Sequence, residues 1–392
     1  MAKPTISKLN MDLHLDNYIE GAREMADAII TNIVFIGQVP APTFEESERV
    51  NLFMERLSGF QVNECTTDSF NNPIGIIHGR SRKKPPIFVV AHMDTAFSKE
   101  VDHNYTVEPN AITGAGISDN ALGVGILVSL PGILRHLNMA FDSDIVLAGV
   151  TQSIGKGNLR GIRHLLKSWA TPIRGAICIE SGELGRLNFY SDAMIRCEIV
   201  CCIPSTQRNS GQHQFNAILV LNQVINRILD SASPLAPTAQ IIFGTISGGL
   251  KHGQIPDKAC LGLELRSDSG KTVGRLYKEI KAVLEALSSE LSIDIDLSTI
   301  SNVRAARLGE DHPLVRTAVS TMQKLGIDPA MGPSESELSI FLSHNIPALT
   351  LGVSRGTGYQ KTHATMQIDP IFKGIAQIVG LLKAIDGGVC DA

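Results

Sequence analysis

The segment from residue 87 to residue 125 constrains the possible fold more than any other part of the sequence. It opens with the apolar run IFVV at residues 87–90, which is typical of a strand buried on both faces of a parallel or mixed sheet. His92 and Asp94 follow at the carboxyl end of this predicted strand, where open α/β sheets place their sites. We therefore expect a layered α/β fold with a functional site at this end of the strand.

Asp119 lies further along the same segment, next to Asn120 and directly before an apolar run of helical character at residues 121–134. Imidazole nitrogen and carboxylate oxygen are both zinc ligands, and a nearby acid can orient the imidazole from behind. A hydrogen-bonded polar pair at a strand end fits His92 and Asp94 equally well. The spacing alone leaves both interpretations open.

Apolar spacing predicts alternating helices and strands before residue 192. Helices are expected over 15–35, 43–57, 121–134 and 161–169, and strands over 61–66, 74–78, 87–90, 143–150 and 175–179. Thr43 and Glu46 have the spacing of a capping box at the start of the second helix. The β-α-β alternation favours a mixed sheet with helices on both faces.

The order of elements changes after residue 192. Strands are predicted over 196–203, 239–247, 260–266 and 293–300, and helices over 216–231 and 272–289, which is the β-α-β-β-α-β order of ferredoxin-like α+β domains. We interpret 193–301 as an inserted domain. The first domain then comprises 1–192 and 302–392, and it resumes with a helix at 313–325, a loop at 331–338, a strand at 348–351 and a helix at 370–385.

Composition excludes several classes of function. A hydrophobic share of 43% is enough for a core, and a net charge of −4 gives no reason to expect nucleic-acid binding. We expect no membrane association and a cytoplasmic location, because we find neither an apolar run of membrane-spanning length nor a signal peptide. The seven scattered cysteines, without a CxxC motif, predict buried thiols instead of disulfides or a thiolate metal site.

Several motifs, taken in chain order, resemble those of the di-zinc aminoacylase and exopeptidase family. They are PAPTFEESER, VVAHMDTAF, GAGISDNALGVG, AICIESGELGRL, GTISGGLKHGQIPDKACLGLELRS, NIPALTLG and KTHATMQI. The family includes peptidase T, acetylornithine deacetylase, succinyl-diaminopimelate desuccinylase and the glutamate carboxypeptidases. The resemblance covers nearly the whole chain, and it implies a catalytic-type domain at 1–192 and 302–392 with a dimerisation, or lid, domain at 193–301.

The resemblance also implies a set of site residues. His92 and Glu180 would be terminal ligands of one zinc, Asp119 would bridge two zincs, and His363 would be a terminal ligand of the second. Asp94 would orient His92 from behind. The implied chemistry is metal-assisted hydrolysis of an amide bond.

The departures from the family pattern fall on the catalytic positions. The family has a GEEGLGDLRG-like stretch where this chain reads QSIGKGNLRG, so Ser153 stands at the general-base position and Ile154 at that of the second zinc's carboxylate. Loss of the base alone is expected to cost roughly 10²–10⁴-fold in rate. Ser153 could act as a nucleophile only with a base within hydrogen-bond reach, and the sequence assigns none.

Two positions in the inserted domain bear on substrate binding. Gln207 stands where the family has a lid histidine that stabilises the oxyanion, whereas Arg266 is retained. Glu183, Glu335 and Glu337 are candidates to replace the missing base, but we interpret all three as solvated loop carboxylates.

Two functions follow from these residues. The first is a metal-dependent hydrolase of a small peptide or N-acyl amino acid, impaired by Ser153 and Ile154. The alternative is a catalytically silent relative that acts as a binding or regulatory protein. Either would hold one zinc, with a doubtful second site. Manganese or cobalt would also fit His and carboxylate ligands, and the resemblance implies a homodimer.

Overall fold

The computed structural model describes residues 14–81, 83–204, 216–231 and 237–391, and its helices and strands follow the alternation expected from the sequence. The helices are α1 (Leu15–Glu24), α2 (Ala26–Gln38), α3 (Ser47–Gly59), α4 (Leu122–His136), α5 (Arg160–Ser168), α6 (Ala217–Ser231), α7 (Gly270–Leu291), α8 (Pro313–Lys324), α9 (Leu338–Ser343) and α10 (Asp369–Asp386). Short helical turns cover Ile117–Ala121 and Gly155–Gly157.

The strands divide between one large sheet and two small ones. They are β1 (Glu64–Thr67), β2 (Pro73–Ile77), β3 (Ile87–His92), β4 (Thr106–Glu108), β5 (Ala111–Thr113), β6 (Ile145–Val150), β7 (Gly175–Glu180), β8 (Arg186–Ser191), β9 (Ala193–Cys202), β10 (Gln240–Gly248), β11 (Lys258–Ser267), β12 (Asp294–Val303), β13 (Ala306–Arg307), β14 (Ala330–Pro333), β15 (Ala348–Gly352), β16 (Gly356–Thr357) and β17 (Thr365–Gln367).

The large sheet has nine strands in the order β1-β2-β6-β3-β7-β15-β8-β13, with β14 paired to β8. Strands β6, β3, β7 and β15 run parallel to one another, while β2 is antiparallel to β6 and β8 is antiparallel to β15. Every residue of β3 and β6 is buried, as their continuous apolar sequences predict. The carboxyl ends of these parallel strands lie along one edge, and that edge positions the candidate site.

The chain forms two units. One comprises the described residues up to Tyr190 and from Arg307 onward, and the other those from Ser191 to Ala306. The second unit is slightly longer at both ends than the 193–301 range expected from the sequence. Its sheet has the order β10-β11-β9-β12 with antiparallel pairing throughout, and α6 and α7 pack on it. The predicted fold class, a mixed α/β sheet with an inserted ferredoxin-like domain, is confirmed.

Two sequence predictions about helices are wrong. The helix expected over 15–35 is two helices, because the backbone at Met25 leaves helical geometry. Helix α3 begins at Ser47, four residues after the predicted cap Thr43, and the side chains of Thr43 and Glu46 serve other partners described below.

One apolar helical stretch, Ile117–His136, is long and apolar enough to cross a bilayer, contrary to the expectation from the sequence. In the fold, 94% of its most apolar window is buried. It includes α4, which packs against α2 in the core of the first unit. The cysteines are free thiols, three of them buried and four half-buried.

Candidate metal centre

Three side chains that can bind a metal converge at the carboxyl edge of the large sheet. They are His92 at the end of β3, Asp119 in the turn before α4, and Glu180 at the end of β7. Their ligand atoms lie within 4.8 Å of one another, and His92 Nε2 is 3.0 Å from Asp119 Oδ1. Among the described residues, these three are the histidine, cysteine or carboxylate side chains that lie close enough together to hold one ion.

The second nitrogen of His92 faces Asp94. His92 Nδ1 lies 3.1 Å from the Asp94 carbonyl oxygen and 3.5 Å from the carboxylate oxygen Oδ1. A partner on Nδ1 fixes the orientation of the ring and directs Nε2 toward Asp119, which is how metal-binding histidines are usually held. This arrangement fits the orienting role that the resemblance implies for Asp94.

Asp94 also holds the turn that carries Ser153 and Ile154. Its second carboxylate oxygen, Oδ2, accepts hydrogen bonds from the Thr43 hydroxyl at 2.8 Å and from the backbone N–H groups of Ser153 and Ile154 at 2.9 and 2.8 Å. Glu46 accepts from the N–H of Gln152 at 2.8 Å. The predicted capping box is therefore replaced by contacts to the site, because Thr43 and Glu46 bind residues distant in sequence.

The charges of the cluster act strongly on one another. Burial lowers the pKa of His92, but hydrogen bonds to Asp119 and Asp94 and the charges of Asp119 and Glu180 together hold that pKa well above its usual value. Burial, with the negative charges of Asp119 and Glu337, raises the pKa of Glu180 to about 7. Two half-buried carboxylates lie beside a buried histidine, which is an environment that favours a bound cation.

The donor set fits zinc. One imidazole nitrogen and two carboxylate oxygens make three protein ligands, the number that catalytic zinc sites use while keeping one position open. Manganese and cobalt accept the same ligand types.

Ser153 contacts a carboxylate that sequence reasoning set aside. Its hydroxyl donates a hydrogen bond of 2.6 Å to Glu337 Oε1. Ser153 is 8% exposed and Glu337 only 2%, so interpreting Glu337 as a solvated loop carboxylate was wrong. No sequence pattern signals this pair, because the two residues are 184 positions apart.

Other predicted site residues lie outside the cluster. His363 is exposed, and its ring nitrogen Nδ1 lies 3.5 Å from the Thr362 hydroxyl. Arg266 belongs to the second unit, where it donates to Glu264, which also pairs with Arg196. Gln207 falls outside the described residues. The assignments of His363, Arg266 and Gln207 stay predictions.

Sequence reasoning also missed a cation beside the cluster. Burial raises the pKa of Asp119 and of Glu180, and the positive charge of Arg186, at the start of β8, adds to that of His92 in the opposite direction. Arg186 Nε and Nη2 donate to Glu183 Oε2 at 3.0 and 2.6 Å. The strand that carries Arg186 was not predicted, which explains why its position was not recognised.

The solved structures to which this chain is similar include peptidases and amidases. The chain superposes on the di-peptidase Dug1p from Saccharomyces cerevisiae with a TM-score of 0.79 at 12% identity. The superposition covers 96% of this chain and 99% of Dug1p. For aminopeptidase PepT from Bacillus cereus the coverages are 92% and 98%, the TM-score 0.68 and the identity 15%. The YXEP protein from Bacillus subtilis is a dinuclear metal-binding peptidase of the M20 family. This chain superposes on it with a TM-score of 0.64 at 14% identity, over 93% of this chain and 99% of the other.

At these identities the likeness concerns the fold, and it confirms at that level the resemblance to the di-zinc exopeptidase and aminoacylase family. No protein-family model matches the chain. No curated protein sequence matches it either. The chain therefore has a metallopeptidase-like fold with a candidate metal site at His92, Asp119 and Glu180.

Proposed function

We propose that the protein is a metal-dependent hydrolase that cleaves an amide bond in a small peptide or N-acyl amino acid. The observation that carries this proposal is the convergence of His92, Asp119 and Glu180, with Asp94 behind the histidine, at the carboxyl ends of the parallel strands of the large sheet. Zinc bound there would polarise the carbonyl group and lower the pKa of an attacking water.

A single metal fits the described residues better than two. Ile154, at the position of the second metal's carboxylate, is half-buried and cannot ligate, and His363 is exposed outside the three-residue cluster. We therefore propose one tight zinc site and a rate below that of a two-metal enzyme. This arrangement also favours the second candidate function, a catalytically silent binding protein.

Metal content and turnover separate the two functions. The metal-free protein should be titrated with zinc, manganese and cobalt, and each form assayed against a mixed panel of dipeptides and N-acyl amino acids. The hydrolase proposal expects turnover that requires metal and disappears in the His92→Ala variant. Metal binding without turnover on any member of the panel would favour the silent protein.

The second unit is proposed to mediate a homodimer. Strand β9 lies between β11 and β12, so it is not an edge strand that could pair with another chain. The supporting feature is instead the edge strand β10, where Ile246 is 64% exposed, together with α6, where Leu219 is 60% exposed. An apolar edge strand is prone to pairing with another chain, and a twofold dimer is the commonest outcome.

A further inference from the structure

Glu337 is a buried carboxylate beside the turn that carries Ser153 and Ile154. It directly precedes α9, whose residues Leu338–Leu342 are all buried. The backbone of Glu337 is fixed by α9, because its carbonyl oxygen accepts from the N–H groups of Ile340 and Phe341 at 3.0 and 3.3 Å. A carboxylate set on a buried, hydrogen-bonded backbone has little freedom to turn into solvent.

The carboxylate of Glu337 lies close enough to β7 for its charge to act on two residues of that strand. Its negative charge contributes to raising the pKa of Glu180, and also that of the buried thiol of Cys178. Both residues lie on β7, and Glu180 is one of the three candidate ligands. Glu337 is not part of the group whose ligand atoms lie within 4.8 Å, so it is placed near the metal cluster without belonging to it.

The distance between Ser153 Oγ and Glu337 Oε1 is close to the distance from Cγ to a carboxylate oxygen within a glutamate side chain. A glutamate at position 153 would hold its carboxylate oxygens about 2.4 Å from its own γ atom. Ser153 Oγ occupies that γ position, and Glu337 Oε1 lies 2.6 Å from it. A carboxylate oxygen is therefore present at nearly the same distance from the γ atom of residue 153 as the oxygens of a glutamate at that position would be.

We propose that Glu337 is the general base of the hydrolase proposed above, delivered from α9 to replace the glutamate missing at position 153. The inference rests on that proposed function. Ser153 is then a positioning residue, whose hydroxyl holds one oxygen of the carboxylate and leaves the other for the reacting water.

The proton transfers balance over one turnover. The water oxygen bonds to the amide carbonyl carbon while one of its protons passes to the Glu337 carboxylate. Glu337 then delivers that proton to the nitrogen as the C–N bond breaks, and it returns to the carboxylate form. The products are a carboxylic acid, which keeps the second proton of the water until it ionises, and a free amine.

The test moves the carboxylate between the two positions. Glu337→Gln keeps an acceptor for the Ser153 hydroxyl but removes the base, and kcat should fall roughly 10²–10⁴-fold. Adding Ser153→Glu to that variant returns a carboxylate to the same space. The double variant should have a kcat at least about tenfold higher than that of Glu337→Gln alone. Glu335→Gln, an exposed neighbour two residues away, is the matched control and should keep the parental kcat.

Ser153→Ala separates this role from nucleophilic catalysis by Ser153 with Glu337 as its base. Loss of one positioning hydrogen bond should lower kcat by at most about tenfold. A loss as large as that of Glu337→Gln, together with covalent labelling of Ser153 by a fluorophosphonate, would overturn the assignment.

Two measurements that do not depend on turnover complete the test. Calorimetric titration should give the same zinc stoichiometry for the parent and for Glu337→Gln, because Glu337 is not a ligand. Acetohydroxamate, which gives up a proton when it binds zinc, should bind zinc-loaded Glu337→Gln at least about tenfold more weakly than it binds the parent or Glu335→Gln.

The outcomes distinguish the two proposals. A zinc-loaded parent without turnover means that the proposed function fails, and the acetohydroxamate comparison alone then decides the role of Glu337. Equal acetohydroxamate affinity in the parent and Glu337→Gln, or a lower zinc stoichiometry in that variant, would overturn the assignment of Glu337 as base.

Discussion

The side-chain amide of Asn120 donates a hydrogen bond of 2.8 Å to the backbone carbonyl of Ile179. Its carbonyl oxygen, Oδ1, accepts from the Ser181 hydroxyl at 2.7 Å. Asn120 is fully buried, and its two bonds flank Glu180 on either side along the chain. The turn that carries Asp119 is thereby tied to the strand that carries Glu180, which fixes the separation of two candidate metal ligands.

Asn120→Ala should weaken both the fold and the metal site. It leaves the partners of two buried hydrogen bonds unsatisfied, so the free energy of unfolding should fall by about 2–4 kcal/mol. Zinc affinity should fall roughly 10–100-fold, as it does when groups that position ligands are removed. Urea unfolding and competitive zinc titration measure the two effects.

Asn32→Ala is the matched control for that experiment. Asn32 is also buried and donates to the Ser129 hydroxyl at 2.9 Å, between α2 and α4. It should destabilise the fold while leaving zinc affinity unchanged. Equal zinc affinity in Asn120→Ala and the parent would show that the tie to Ile179 does not position the site.

Zinc titration of the metal-free protein should show one tight step per chain. His92→Ala should abolish it, because that change removes one of three ligands. His363→Ala should leave it intact, since His363 is exposed outside the cluster. Two steps of similar affinity, the second lost in His363→Ala, would instead mean that His363 and Asp119 complete a second site.

Glu46 should make stability depend on pH. Burial raises the pKa of Glu46 above its ordinary value of 4.5, although the N–H of Gln152 acts in the opposite direction. The folded state holds the proton more tightly, so this contribution to stability is complete below the ordinary pKa and is lost as pH rises through the raised value.

Urea unfolding from about pH 4 to pH 7 tests this prediction. The free energy of unfolding should fall more steeply with rising pH in the parent than in Glu46→Gln. Glu48→Gln, an exposed change two residues away, should keep the parental slope. Parallel slopes in the parent and Glu46→Gln would contradict the prediction.

The edge strand of the second unit should control assembly. Ile246→Lys places a charge on the exposed apolar edge of β10, so a dimer paired there should dissociate. Light scattering at micromolar concentration should give a dimer mass for the parent and a monomer mass for the variant. Val107→Lys makes the same kind of change, from an exposed apolar side chain to a charged one, at a 49% exposed position in the first unit, and it should leave the mass unchanged.

The order of elements could be predicted because it depends on local apolar spacing. The strand ending at His92 and the strand ending at Glu180 both carry continuous apolar runs, and each was found with bounds within a few residues. The small strands β4, β5, β16 and β17 were missed, since segments of two or three residues carry too little periodicity.

The contacts that complete the site could not be predicted in the same way. Thr43 is a good helix cap by its local sequence, yet its hydroxyl binds Asp94, 51 residues away. Glu337 looked like an exposed acid in a polar loop until the fold buried it against Ser153. Both depend on which distant residue arrives nearby, and local patterns do not contain that information.

The three donors to Asp94 Oδ2 include two that every residue except proline supplies, the backbone N–H groups at positions 153 and 154. The shape of that turn therefore depends on Asp94 and not on the side chains that the turn displays. Substitution at either position can change what the centre does without disturbing how it is built. A scaffold of this kind allows its chemistry to be lost, moved to another segment or regained in single mutational steps.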